Sequence, residues 1–220
     1  MRIENARKEQ AAQIARLIML AMNHDCCQYF AGPDHTLDDF HRVMTELVER
    51  DDSQYSYRNT EVAVDDDGRL MGICVTYDGG RLHELRRAFV EAARVAFGID
   101  YSGMDDETQA GELYADSLAV EERDRLQGVA SALLLSAAAK AKRMGLPAVG
   151  LLVDAGNPDA ERLYRRVGFE YVNDAEWGSH PMHHLQRKVE RAEAAGWGIS
   201  RAGQSPAAAA RRRGRRDSRR

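Results

Sequence analysis

Between residues 112 and 189, strand-like runs alternate with helix-period runs, and no other feature restricts the possible folds so strongly. ELYADSLAV (112–120), AVGLLV (148–153), FEYV (169–172) and MHHLQRKV (182–189) read as strands. Residues 127–144 and 158–167 carry apolar side chains three and four apart and read as helices. Strands separated by helices imply parallel pairing in this half. The first half reads differently. Residues 6–22 and 37–49 have the spacing of amphipathic helices, the second capped by Thr36. EVAV (61–64) and LMGICVTY (70–77) flank DDDG, a hairpin turn in which Gly68 can take positive φ. A helix over about 81–97 and a polar loop fill the next stretch, which is long for a hairpin connection. The expectation is one mixed α/β domain over 1–190, with 81–110 an inserted helical cap, and a basic, disordered tail over 191–220.

Charge separates the same two pieces. Eight arginines against Asp217 give residues 201–220 a net +7; the whole chain carries −4, which leaves −11 on residues 1–200. An acidic body repels nucleic acid and attracts cations, so the tail is read as a solvated extension and nucleic acid is not an expected partner. No apolar run approaches the roughly 18 residues of a membrane span, and MRIENARKEQ has no signal-peptide core, so a cytoplasmic location is expected. Cys26, Cys27 and Cys74 form no C-x-x-C pair. Adjacent His183 and His184 would point to opposite faces of a strand, so no metal site is expected.

Two segments carry chemistry. RDRLQGVA (123–130) joins a strand to a helix whose first-turn amides have no partner within the helix. The helix dipole adds partial positive charge there, and small Gly128 and Ala130 let an anion approach the backbone. A plain strand-to-helix turn with small packing residues would look the same. It matches neither nucleotide-binding glycine pattern. NPDAERLYRRVGF (157–169) has Asn157 as N-cap, Pro158 in the first turn and Gly168 at the C-terminus. Ala160, Leu163, Tyr164 and Val167 share one face, so the Tyr164 phenol turns toward the sheet. It is either a packed tyrosine or a proton donor to a leaving thiolate.

Together the segments resemble the GNAT superfamily of N-acetyltransferases. Arg125, Leu126, Gln127, Gly128, Val129 and Ala130 match its [QR]-x-x-G-x-[GA] loop. Asn157, Ala160, Leu163, Tyr164, Gly168 and Phe169 match its N-x-x-A-x-x-L-Y-x-x-x-G-F segment. The element order agrees over about 1–189, the motifs over 112–172. The resemblance implies a mostly antiparallel sheet splayed between two parallel strands and flanked by helices. It also implies acetyl-CoA as co-substrate. The diphosphate would lie on residues 125–131, ending at Ser131, and the cofactor arm along Leu118, Ala119 and Val120. Asn157 and Ala160 would stand beside that arm, with Tyr164 facing the sulfur.

An amine must lose a proton before it attacks a thioester. Period-two alternation puts Glu112, Tyr114, Asp116, Leu118 and Val120 on one strand face, with the two carboxyls roughly 13 Å apart at about 3.3 Å per residue. Glu112 is the favoured base and Asp116 the close second. Alternatively, each is a solvated or paired carboxylate. The acceptor wall is expected from 24–35, Tyr55, Tyr57, Tyr114 and the cap. Asp100, Asp105, Asp106 and Glu107 there favour a cationic amine or simply keep a loop in water. The expected function is acetyl transfer to an amine of a small molecule or peptide, by a monomer or homodimer with no membrane partner. The rival is a catalytically silent acyl-CoA-binding regulator.

Overall fold

The computed structural model describes residues 1–190; the expected basic tail of 191–220 lies outside the described residues. Strands β1 (Arg2–Asn5), β2 (Thr60–Val64), β3 (Leu70–Asp78), β4 (Leu113–Val120), β5 (Ala148–Asp154), β6 (Glu170–Trp177) and β7 (His180–Lys188) form one sheet. Its order is β1-β2-β3-β4-β5-β7-β6. Among the described residues only β4 and β5 pair in parallel, so the sheet is mostly antiparallel, as the resemblance implies. The parallel pairing read from the alternation in 112–189 fails beyond that pair, because β6 and β7 join as a hairpin and β7 inserts antiparallel beside β5. Helices α1 (Ala11–Met22), α2 (His24–Ala31), α3 (Leu37–Glu49) and α4 (Leu82–Phe97) cover one face. Helices α5 (Val129–Met144) and α6 (Pro158–Arg166) cover the other.

Two boundaries and one helix depart from the expectation. The first helix starts at Ala11 rather than residue 6, because Arg2–Asn5 pair with β2 and the Ala6 amide donates to Thr60 O at 2.9 Å. Helix α2, unanticipated, forms because Asn23 Oδ1 accepts the Cys26 amide at 3.0 Å and Tyr101 donates to the Tyr29 carbonyl at 2.8 Å. β6 runs to Trp177 rather than 172, since its partner β7 supplies the hydrogen bonds that its polar sequence did not advertise. α4 lies in the same core as α2 and α3: Phe89 meets Phe30 edge-on at 5.0 Å, and Ala88, Ala93 and Phe97 are buried with them.

β4 carries the irregularity that matters most. Val75 pairs with Ser117 but Thr76 pairs with Ala115, so Asp116 is an extra residue, a β-bulge. Before it, Tyr114 packs with Tyr77, Leu82 and Leu85 on the α1–α4 face while Leu113 and Ala115 face α5. After it, Ala119 faces α1–α4 while Leu118 and Val120 pack toward α5. The single-face alternation expected over 112–120 therefore inverts at Asp116. A bulge also bends its strand. β4 and β5 pair only at Leu113↔Val149 and Tyr114↔Gly150, then part.

Candidate active site

The divergence leaves the β5-facing edge of Asp116–Val120 without a strand partner among the described residues. Backbone amides and carbonyls on such an edge need partners from elsewhere, and an extended ligand arm can supply them. Leu118, Ala119 and Val120, expected to hold a cofactor arm, are the residues on that edge.

The loop after β4 ends at the N-terminus of α5. Gly128 sits at the N-cap with φ +83°, and no side chain caps the helix. A Cβ added at Gly128 would meet nothing within 4 Å, so the space over the first-turn amides of Val129, Ala130 and Ser131 is open. Leu126 also has positive φ, +61°, and its side chain is fully exposed, packing on nothing. Left-handed backbone in a non-glycine residue costs about 1–2 kcal/mol and persists where the surroundings impose it. Here they do: Asp124 is buried and held by Arg69 through two bonds of 2.6 and 3.0 Å, and Arg69 also reaches Asp65. Arg125 Nε points back to the Val120 carbonyl at 3.4 Å, and Gln127 donates to the Arg123 carbonyl. The cradle fits a diphosphate: open space, uncapped amides, a helix N-terminus and nearby Arg123 and Arg125.

α6 approaches the opening from the α5 side. Asn157 Oδ1 accepts the Ala160 amide at 3.1 Å, so this side chain caps the helix. Ala160 and Tyr164 pack against the α5 core, and Tyr164 meets Phe169 edge-on at 5.9 Å. Its hydroxyl makes no hydrogen bond among the described residues; burial, then the Cys74 thiol, pushes it up to about 12.

The two strand carboxylates have different surroundings. Glu112 is fully buried and accepts from His184 Nε2 at 2.9 Å, Gln186 Nε2 at 2.7 Å and Thr108 Oγ1 at 2.7 Å. Burial pushes its acidity one way, but those bonds and the His184 ring outweigh it and hold the carboxyl below the usual glutamate range. Gly150 makes the room: a Cβ there would stand 1.8 Å from Glu112 Oε2. Glycine within a strand often marks such a close approach, a signal present in AVGLLV. Asp116 is the reverse. Burial and the Glu107 carboxylate raise it to about 7, against bonds from Ser117, Gln54 and Tyr77.

Around Asp116 the structure gathers Gln54, Tyr55, Tyr77, Tyr114, Cys26 and Glu107. Tyr55 and Tyr114 are thus at the site, whereas the half-buried Tyr57 turns its hydroxyl to Arg58 Nε at 3.2 Å. Gln54, Tyr77 and Glu107 were not anticipated as a group; nothing in spacing joins residues 54, 77 and 107. The acids of the loop are engaged within the fold. Glu107 is buried against Arg86, Asp105 accepts the Gly178 amide at 3.0 Å, Asp106 binds Arg86 and His83, and Asp100 accepts the Ser102 amide. Burial pushes Cys26 up to about 11 and Cys27 and Cys74 up to about 12, which keeps all three thiols protonated. Among the described residues, no group of three or more His, Cys, Asp or Glu could hold a metal ion, and no helix is long and apolar enough to cross a membrane.

Comparisons with known proteins agree with this geometry. The model of the acetyltransferase (GNAT) family matches residues 19–169. An acetyltransferase of Agrobacterium fabrum is 42% identical over 70 residues, 32% of this chain and 50% of that protein. The chloroplastic GCN5-related N-acetyltransferase 4 of Arabidopsis thaliana is 36% identical over 73 residues, 33% of this chain and 25% of that protein. The matches thus span half the length of the first curated relative and a quarter of the second. A crystal structure of an acetyltransferase superposes with TM-score 0.71 at 28% identity, over 86% of this chain and 100% of the other. An N-acetyltransferase from Staphylococcus aureus Mu50 also gives 0.71, at 21% identity over 84% and 100%, a likeness of fold. A family match over most of the folded region, on a sheet that parts where the motifs converge, makes this chain a member of the GNAT acetyltransferase family.

Proposed function

We propose that this chain moves an acetyl group from acetyl-CoA to a primary amine by direct attack in a ternary complex. The observation that carries the reading is the parting of β4 from β5, with uncapped α5 amides on one side and Asp116 on the other. Acetyl-CoA supplies an acetyl thioester. Residues 125–131 grip its diphosphate through backbone amides and the flanking arginines, and the free edge at Leu118–Val120 pairs with its arm. Asn157 and Ala160 border the arm from α6.

Asp116, rather than the favoured Glu112, is the base. A base works best when its proton affinity lies near the working pH, and Asp116 at about 7 meets that condition. Glu112 is fully buried and held ionised by three donors, so it serves the framework. Tyr164 acts as hydrogen-bond donor to the sulfur as negative charge develops there. With the phenol at about 12 and a thiol near 8.5, complete proton transfer would run uphill, so the stabilisation comes from the bond itself. A backbone amide near Leu118 faces the acetyl oxygen. Tyr55 and Tyr114 form the wall on the acceptor side.

Thiol release from acetyl-CoA in the presence of a pool of primary amines tests the reading. Amine-dependent release is expected, and Tyr164→Phe should lower kcat by roughly 10²-fold while the Kd for acetyl-CoA stays within about twofold. Tight acetyl-CoA binding without amine-dependent release would instead mark a silent acyl-CoA-binding protein. Unchanged kcat in the variant would remove Tyr164 from the chemistry.

A further inference from the structure

A buried carboxylate, Glu107, and a half-buried one, Asp116, share a pair of donors on the α1–α4 face of the sheet. Glu107 Oε1 accepts from the Tyr77 hydroxyl at 3.0 Å and from Gln54 Nε2 at 3.4 Å. Asp116 Oδ2 accepts from the same Gln54 Nε2 at 3.2 Å and lies 3.4 Å from the same Tyr77 hydroxyl. The phenol has one proton and two claimants. Glu107 is also clamped by Arg86, whose guanidinium is itself buried and donates to the Met104 and Asp105 carbonyls and to Asp106. Arg86 thus offsets one negative charge of the pair. Among the described residues no cation pairs with Asp116. Among the described residues nothing donates to the buried Gln54 Oε1, an acceptor on the amide that already touches both carboxylates.

We propose that Glu107, carried by the segment between α4 and β4, is a positioning residue that keeps the Asp116 carboxylate avid for a proton through their shared Tyr77 hydroxyl and Gln54 amide. The proposal rests on the reading of Asp116 as the base and deepens it. Glu107 touches no reacting atom. Its charge opposes ionisation of Asp116, and Arg86 keeps that charge in place. The other titratable groups facing Asp116 are the Cys26 thiol from α2, Tyr55 from the segment before β2, Cys74 and Tyr77 from β3, and Tyr114 from β4. All are thiols or phenols that burial keeps protonated around neutrality. Glu107 and Arg86 are then the charges in this group, and Glu107 decides when Asp116 gives up its proton.

Two substitutions should act with opposite sign. Glu107→Gln removes the opposing charge while keeping the shape, so Asp116 ionises more easily. Tyr77→Phe keeps the charge but removes a bond that favours ionised Asp116, so it ionises less easily. The measurement is a carbon-13 NMR titration of the full chain labelled at aspartate carboxyls, with the Asp116 signal assigned by its loss in Asp116→Asn. Glu107→Gln should move the Asp116 titration down by about one pH unit or more, and Tyr77→Phe should move it up by about half a unit. Glu107→Asp should restore part of the Glu107→Gln shift. A merely structural role would leave the Asp116 titration where it is. An unmoved signal in folded Glu107→Gln overturns the proposal; if that variant fails to fold, an unmoved signal in Tyr77→Phe overturns it. The base reading fails separately, if Asp116→Asn retains amine-dependent thiol release while the coupling in the NMR titration stands.

Discussion

Glu112, just before β4, and Asp116 within it stand four residues apart, and burial disfavours the charge on both, yet their partners have opposite consequences. Three donors converge on Glu112 and outweigh its burial, so its folded state favours the charge; Asp116 loses water and then meets another carboxylate, so its folded state favours the proton. Glu112 therefore contributes stability that is complete above its ordinary value near 4.5 and is lost as pH falls through its lower folded value. Glu112→Gln should cost about 1–3 kcal/mol at pH 7, because an amide NH2 would face existing donors at a fully buried position. Urea midpoints at pH 7 and pH 4 check this, with the gap between variant and parent narrowing at the lower pH. A variant equally stable but with turnover collapsed would return the base role to Glu112. Both residues were legible as candidates from the strand pattern. Their ranking was not, since it depends on residues 54, 77, 86, 107, 184 and 186, distant in the chain and adjacent only after folding.

At the scale of elements, the hairpin β2–β3 and the loop after β4 are joined by one arginine. Arg69 bonds Asp65 in its own turn and Asp124 in the loop that leads to Leu126 and Gly128. Asp124 is nearly inaccessible, so removing its partner leaves a carboxylate with little water and loosens the strained turn behind it. Arg69→Ala should lower the denaturation midpoint and raise the Kd for acetyl-CoA roughly tenfold, the worth of one charge-assisted bond, with kcat much less affected. Arg69→Lys should not restore binding, because a single ammonium cannot bridge the two oxygens of Asp124 in parallel. Isothermal titration with acetyl-CoA gives the answer, and equal affinity in Arg69→Ala would show that the loop holds its shape unaided. Elements with strong periodicity or caps were legible: α3 with Thr36, α6 with Asn157 and Pro158, β3 and β5 with their apolar runs. β1 and α2 were not. Four residues carry too little pattern, and α2 is secured by the distant Tyr101 as well as by Asn23. The bulge left no local mark, because what makes Asp116 the extra residue is its pairing with β3.

The whole molecule places Asp116 and Tyr164, the two groups proposed for the chemistry, on opposite faces of one sheet and opens the sheet between them. α5 and α6 bring the anion cradle and Tyr164 to one face; α1–α4 and the 98–112 connection enclose Asp116 on the other. The mixed sheet and its flanking helices were legible because alternation and cap residues are local; the gap arises from a bent strand and was known only through resemblance. An arrangement of this kind keeps an ionisable group where ionisation is unfavourable, and the fold as a whole bears that cost. The folded value of Asp116, about 7, exceeds its ordinary 3.8, so folded protein binds more protons than unfolded chain between those values. Stability attributable to this group is then complete below about 3.8 and drains away as pH rises through 7. Asp116→Asn keeps an acceptor for Tyr77 and Gln54 but cannot ionise. It should be more stable than the parent at pH 8 and lose that advantage progressively toward pH 5, while its turnover falls by roughly 10²-fold or more. Urea midpoints of both proteins at pH 5, 6, 7 and 8 read the difference directly. A stability gap that does not change with pH would mean that Asp116 ionises in the folded chain as freely as it does in water, and the carboxylate pair beside it would then be holding no proton at all.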